Sequence, residues 1–276
     1  MRDAIPSKYD VLILNAVSSD HYNESQAMLE NFHNELFPVL KNFRLIIYDI
    51  GLTKDQRKMT QKHCNCTVLS FPFHKFPTHV STLMCYAWKP LIVAAHYDQA
   101  EVIMWADSSV RFRHSAEIPE LIRRTKDRGV QQRRCFEFNK LPHFTLPRIF
   151  EHFGDSPCAF MSVPMVEGNF ALYHREPLVR RAVIEPWLAC AATESCICPL
   201  QYRSRRHCFK IPMPIPNRIG LRNCYDQSVM SVILAKLFRE NYFHFVVDTS
   251  RVQLTYRGYK SAYFDVLEKR ITNTAK

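Results

Sequence analysis

The amino-acid sequence predicts an α/β fold built on a mostly parallel, Rossmann-like central sheet flanked by helices. Three observations carry that prediction. Tyr9 to Asn15 and Val102 to Ala106 are uninterrupted apolar runs ending in polar tips, the pattern of strands buried on both faces. Strand-like and helix-like segments alternate over the first ~70 residues, which calls for right-handed crossovers and parallel neighbours. No fixed repeat and no Gly/Ser-rich or Pro-rich linker of more than a few residues interrupts the 276-residue chain, so a single domain over 1–276 is expected.

Taken in order, the first strand leads to a helix capped by Ser19 and Asp20. Its apolar positions Met28, Leu29, Phe32, Leu36 and Phe37 recur three and four apart until Pro38. Phe43 to Asp49 is a second strand closed by Ile50-Gly51-Leu52, Thr53 caps a short polar helix through Gln61, and Cys66 to Phe71 is a third strand. His79 to Tyr97 reads as a helix broken at Trp88-Lys89-Pro90, with Pro90 starting a fresh turn before the strand at Val102 to Ala106. Ser115 to Lys126 is an amphipathic helix with Ile118, Leu121 and Ile122 inward and Gly129 at its end. Val130 to Thr145 fits neither period. Leu146 to Phe153 is a short helix, Ala159 to Val163 and Gly168 to Tyr173 are strand candidates, and Pro177 begins a helix to about Ala192. The proline-rich stretch Cys196 to Ile219 predicts a disulfide-stapled loop. Tyr225-Asp226-Gln227-Ser228 then caps a helix over Val229 to Tyr242, Phe243 to Val247 is a late strand, and the basic tail after Arg251 reads as peripheral.

Charge and cysteine content narrow the function classes. A formal net charge of +11 favours anionic partners, among them a nucleotide diphosphate, an acidic glycan, nucleic acid or an anionic membrane face; a plain basic surface is the alternative. The basic clusters at Arg123, Arg124, Lys126, Arg128, Arg133, Arg134 and at Arg203, Arg205, Arg206, His207, Lys210 lack the interleaved aromatics of a nucleic-acid module, so no nucleic-acid partner is expected. No apolar run approaches the ~18 to 20 residues that cross a bilayer. No membrane segment or N-terminal anchor is expected in this sequence, and the N-terminus lacks the apolar core of a signal peptide. The ten cysteines are unevenly placed: Cys64 and Cys66 form one pair, and Cys190, Cys196, Cys198, Cys208 and Cys224 crowd a loop-rich segment. That pattern suits disulfides, hence the Golgi or ER lumen or secretion, with Cys190 bridged within 196–224. A zinc site is the competing reading, and it lacks the paired C-x2-C spacing. Asn23-Glu24-Ser25 and Asn65-Cys66-Thr67 are N-glycosylation sequons.

Candidate chemistry concentrates at Trp105-Ala106-Asp107-Ser108-Ser109-Val110-Arg111-Phe112. A carboxylate and hydroxyls at the tip of a buried strand suit a divalent cation bridging a diphosphate, with Asp107 and Ser109 as ligands; a turn or helix cap explains the same residues without chemistry. There is no G-x-S-x-G elbow, Walker A, G-x-G-x-x-G or H-E-x-x-H, which removes the corresponding hydrolase, P-loop, dehydrogenase and zincin readings. Only six glycines are present, so metal or cationic side chains would have to hold any diphosphate.

Together, Tyr48-Asp49-Ile50-Gly51-Leu52, Trp88-Lys89-Pro90, Trp105 to Phe112, Glu167-Gly168-Asn169 and Tyr225-Asp226-Gln227-Ser228 are similar to the motif series of a nematode-rich family of uncharacterised proteins. That family resembles glycosyltransferases of the GT-A fold, and the similarity runs from about Tyr9 to Arg257. The resemblance implies a GT-A-like domain with a nucleotide-sugar half at about 9–112 and an acceptor half at about 113–257. It implies a hexosyltransferase-type enzyme moving sugar from a nucleotide-sugar donor, a UDP-sugar with Mn2+, to a glycan or glycoprotein hydroxyl. Asp107-Ser108-Ser109 stands where the family fold carries Asp-x-Asp. Because Ser109 replaces the second carboxylate, metal dependence is weakened, and a catalytically silent, glycan-binding pseudoenzyme is the alternative.

Trp88, Lys89 and Arg111 are the remaining donor-side candidates, with ordinary structural pairing as the other explanation for the two cations. Asp226, at a helix N-terminus, is the candidate general base or else simply an N-cap. Glu167 is the alternative base, Gly168, Asn169 and Gln227 are acceptor-side candidates, and His244 is a late metal-ligand candidate among 12 histidines.

Overall fold

Val11, Leu12, Ile13 and Leu14 are all buried, which a continuous apolar run requires when both faces of a sheet are covered. The molecule is a computed structural model in which residues 8–135, 139–199, 219–220, 223–247, 249 and 252–274 are described. Strand β1 (Tyr9–Val17) pairs in parallel with β2 (Phe43–Asp49), which pairs in parallel with β3 (Thr67–Ser70). On its other side β1 pairs in parallel with β4 (Ala100–Ala106). Past β5 (Val110–Phe112), β6 (Val130–Arg134) runs antiparallel to β7 (Val166–His174), β7 runs antiparallel to β4, and β6 takes β8 (Val246–Val247) in parallel. The order is β3-β2-β1-β4-β7-β6-β8, and a second sheet pairs β5 with β9 (Gln253–Thr255). The chain winds one way from β1 to β3 and returns beside β1 at β4, so the order reverses between the tips of β1 and β4. Open α/β sheets place ligands at such a point.

Successive residues of each strand face opposite cores. Leu12, Leu14, Ile103 and Trp105 join α3 (Trp88–His96), α7 (Glu185–Ala192) and α9 (Asp226–Phe238) on one face. Val11, Ile13, Val102 and Met104 join α1 (Tyr22–Asn31), α4 (Ile118–Arg128) and α11 (Tyr263–Thr274) on the other. Between these lie α2 (Lys54–His63), closed by a Thr53/Gln56 capping box, and the short helices α5 (Pro147–His152), α6 (Pro177–Val179), α8 (Glu194–Ile197) and α10 (Tyr242–Phe245). Gly129 ends α4 at φ +84, and a Cβ there would lie 2.8 Å from Val179 Cγ2.

Several expectations change. His79 to Tyr97 is not one broken helix: 3-10 turns at Thr78–Ser81 and Leu83–Cys85 precede a helix that starts at Trp88, with Pro90 tolerated in its first turn, where no intrahelical N–H is needed. Pro157–Phe160 is a 3-10 turn where a strand was expected, and Phe243 belongs to α10, leaving only Val246–Val247 extended. Ser115–Glu117 is a separate 3-10 turn before α4. The segment after Arg251 is not peripheral, because β9 closes the second sheet and Phe264 is buried in the core. Most of the expected stapled loop, residues 200–218, lies outside the described residues. Disulfides join Cys64–Cys66, Cys190–Cys196 and Cys85–Cys198, and Cys224 is also bridged. They indicate an oxidising, secretory-type environment. No helix among the described residues is long and apolar enough to cross a membrane.

Candidate active site

The site forms where the tip of β4, the first turn of α3, the start of β7 and the N-terminus of α9 converge. Lys89 sits in the first turn of α3, only 3% exposed. Its ammonium meets three oxygens: the Gly168 carbonyl at 2.8 Å, Asp226 Oδ2 at 3.0 Å and Asp107 Oδ1 at 3.2 Å. It also lies over the rings of Trp105 at 5.1 Å and Tyr86 at 5.5 Å. Burial opposes its charge, but Asp107 and Asp226 outweigh burial and hold its pKa above the ordinary lysine value. The Asp226 pKa is raised as well, to about 6: burial and Asp107 push it up, and Lys89 opposes them. Asp107 is anchored by a 2.7 Å bond from Trp105 Nε1 and by its own N–H to the Asn169 carbonyl, yet its side chain remains 27% exposed. It is the carboxylate of the pair that solvent reaches.

Two local features hold this geometry. Tyr86 (φ +54), three residues before Lys89, and Tyr225 (φ +50), the residue before Asp226, occupy the sparsely populated positive-φ region, and their rings lie 6.3 Å apart. Each follows a disulfide cysteine, Cys85 and Cys224. Gly168 lets β7 approach α9, since a Cβ there would lie 3.2 Å from both Asp226 Oδ2 and Gln227 Cβ. Behind Asp226 a cavity of about 10 Å3, lined in part by Lys89, Gln132, Trp187 and Gln227, has room for one water and none for a sugar.

The other sequence candidates divide. Ser108 and Ser109 are buried at the β4–β5 turn, and the Ser109 carbonyl accepts the Tyr256 N–H at 2.8 Å, which lays the segment after β9 against this turn. Arg111 clamps the same turn: its guanidinium donates to the carbonyls of Ser108 (2.6 Å), Val110 (2.7 Å) and Glu24 (3.1 Å) and packs on the Tyr259 ring. Burial pushes it down to about 10, so it stays charged at neutral pH. Trp88 is buried in the core with its indole N–H on the Leu83 carbonyl.

Asn169 is 1% exposed and donates to Glu167 Oε2 (2.8 Å) and Thr255 Oγ1 (2.6 Å); Glu167 in turn pairs with Arg133 at 3.3 Å. Glu167 is thereby committed to a network between β6, β7 and β9. His244 is exposed in α10, and its carbonyl accepts from Arg128. It precedes β8, which stands three strands across the sheet from β4, so it lies apart from Asp107.

Sequence reading missed Asn15, which ties the tips of β1 and β4 through a 2.6 Å bond to the Ala106 carbonyl, and Tyr86 under Lys89. A lone Asn ending an apolar run was the available signal for Asn15. Nothing local marks Tyr86.

A divalent cation fits the protein's donor set poorly. Asp107 is the accessible carboxylate, its Oδ1 is already engaged by Trp105 and Lys89, and Lys89 brings positive charge to the same oxygens. Among the described residues no group of three His, Cys, Asp or Glu converges on one point.

Residues 1–94 match the family model described as a protein of unknown function (DUF1647), a match that includes Lys89 and ends before Asp107. No curated protein sequence matches the chain. Among solved structures, core-mannan synthase A from Aspergillus fumigatus in its Mn/GDP form aligns with a TM-score of 0.50 at 8% identity, over 96% of this chain and 84% of that one. Mouse xyloside xylosyltransferase 1, apo form, aligns at 0.49 and 13% identity over 87% and 85%. The WbbM bifunctional glycosyltransferase aligns at 0.49 and 10% identity over 89% of this chain and 40% of its own length. The fold is that of GT-A glycosyltransferases.

Proposed function

We propose that this chain is a hexosyltransferase-type glycosyltransferase that takes sugar from a nucleotide-sugar donor, a UDP-sugar, and passes it to a glycan or glycoprotein hydroxyl in a secretory lumen. The observation that supports this reading best is the Lys89–Asp107–Asp226 cluster at the carboxyl edge of the sheet, where the strand order reverses. Asp107, with the Ser108–Ser109 turn, lines the donor side of the site. Lys89 is buried against the Gly168 carbonyl and both carboxylates, so its part is to set the two carboxylates rather than to grip phosphate. Asp226, raised to about 6, titrates near neutrality, which suits it to receive the acceptor proton. In the transfer the acceptor oxygen bonds to the anomeric carbon, the bond from that carbon to the diphosphate breaks, and the proton passes to Asp226. Gly168 and Gln227 lie on the acceptor side, with buried Asn169 holding the loop from behind. The single accessible carboxylate supports weak metal dependence, with removal of manganese changing nucleotide affinity less than about tenfold.

A thermal-shift panel of UDP, GDP, CMP and their sugars, with and without manganese, tests this. One nucleotide is expected to raise Tm in the native protein and to lose that effect in Asp107→Ala. The catalytically silent reading is favoured by Ser109 in place of a second carboxylate and by the engagement of Asp107 Oδ1. Glycan binding that survives Asp107→Ala, with no response to any nucleotide, would establish it. Silence toward both ligand classes defeats both readings.

A further inference from the structure

Far from the site just described, the turn joining α2 to β3 carries Cys64-Asn65-Cys66-Thr67 beside an aromatic cleft. We infer that Asn65 is an N-glycosylated residue whose first N-acetylhexosamine seats in that cleft. The inference is independent of the transferase reading.

Asn65 satisfies the acceptor tripeptide with Thr67, is exposed, and sits at φ +49, a left-handed turn position that Asn tolerates better than most residues. The Cys64–Cys66 bridge closes around it, and the Cys64 carbonyl lies 3.2 Å from His33 Nε2, so the backbone on both sides is held. The adjoining cleft, about 440 Å3, is lined by His33, Phe37, Pro38, Asn65, Tyr263 and Leu267. That volume lies within the ~300–1,000 Å3 range of small-molecule clefts. The His33 ring lies 5.2 Å from Phe37 and 5.6 Å from Tyr263, and His33 Nδ1 meets the Tyr263 hydroxyl at 2.9 Å. Such a wall offers ring faces to the C–H face of a pyranose and a polar edge to its hydroxyls.

The second sequon lacks these features. Asn23 Oδ1 accepts from Gln26 Nε2 at 3.2 Å, and Ser25 is buried with its hydroxyl on the Tyr22 carbonyl. The sugar at Asn65 would also stand beside β3, the edge strand of the sheet, where a bulky polar group blocks pairing with other chains.

In the attachment step the Asn65 amide nitrogen bonds to C1 of a lipid-pyrophosphate-linked oligosaccharide. The bond from C1 to the pyrophosphate breaks, the lipid pyrophosphate leaves with the electron pair, and the amide proton passes to a base. In the folded chain the Thr67 hydroxyl accepts from Arg44 Nε at 2.9 Å and the bridge fixes the turn, so attachment precedes closure of Cys64–Cys66.

The test is to secrete the chain from glycosylating eukaryotic cells and map occupancy by peptide mass spectrometry after enzymatic deglycosylation in heavy-oxygen water. Asn65 is expected to be occupied and Asn23 largely empty, with Asn65→Asp, and not Asn23→Asp, removing the glycan. Trimming to a single sugar should leave Tm about 1–3 °C above that of Asn65→Asp, and Phe37→Ala should erase the difference while leaving occupancy intact. Secreted, disulfide-bonded protein with Asn65 unmodified overturns the site. Occupancy without the Tm difference, or with a difference that survives Phe37→Ala, overturns the cleft.

Discussion

Lys89 donates to the Gly168 carbonyl and pairs by charge with Asp107 and Asp226, so one buried ammonium serves three oxygens. Lys89→Met would strand Asp226, 4% exposed, beside Asp107 with no counter-charge. Breaking a buried pair in this way costs about 3–5 kcal/mol, and urea unfolding at neutral pH reads it directly. Asp226 carries its own pH signature. Its folded pKa, about 6, lies above the ordinary aspartate value, so its contribution to stability is fully present below the unfolded value and is lost as pH rises through 6. Unfolding free energies measured from pH 4 to 7.5 should therefore show Asp226→Asn gaining on the native protein with rising pH, by roughly 2–3 kcal/mol. A constant difference would mean that the carboxylate is ionised throughout. Asp107, Lys89 and Asp226 were each legible as polar residues at the ends of apolar elements. Their pairing was not, because each partner lies on a different element and only the sheet order brings them together. Arg111 shows the converse: a cation beside Asp-Ser-Ser is open to diphosphate binding or to structural pairing, and its guanidinium donates to three backbone carbonyls.

The elements that deliver these residues are short and held from outside. Helix α3 starts only at Trp88, after 3-10 turns and a left-handed Tyr86, and Cys85 is bonded to Cys198 across a separation of 113 residues. Closing a loop of that length restricts the unfolded chain by about 4–5 kcal/mol in the entropic account. Cys85→Ser with Cys198→Ser should lower unfolding stability by a similar amount and weaken nucleotide binding. Cys190→Ser with Cys196→Ser spans only 6 residues and should cost less. Equal losses from the two pairs would show that local packing, rather than loop length, sets their contribution. The parallel strands were readable because burial on both faces forces an unbroken apolar run. β6 was not: its Val-Gln-Gln-Arg-Arg has no alternation, since Gln132 and Arg133 turn polar groups toward Glu167, Gln253 and Thr255. β8 and β9 have two and three residues, below the length at which any period can be counted.

One sheet separates two cores, and its strands contribute alternate residues to each, so neither core can loosen without losing the strand that carries the other. All three tryptophans, Trp88, Trp105 and Trp187, lie in the core that also holds Lys89's helix, whereas Phe264 of α11 is buried in the opposite one. Phe264→Ala removes a fully buried ring and should cost about 3–5 kcal/mol. If the two cores are cooperative through the sheet, the tryptophan fluorescence midpoint in urea shifts as far as the far-ultraviolet circular dichroism midpoint, although no tryptophan touches the altered face. A fluorescence midpoint that stays in place while the dichroism splits into two steps would mean that the C-terminal helix and its core unfold alone. The first outcome ties the Asp107 turn to α11 as one folding unit. Under it, substitutions around Tyr263 and Phe264 should lower nucleotide binding through the population of the folded state, without touching the site.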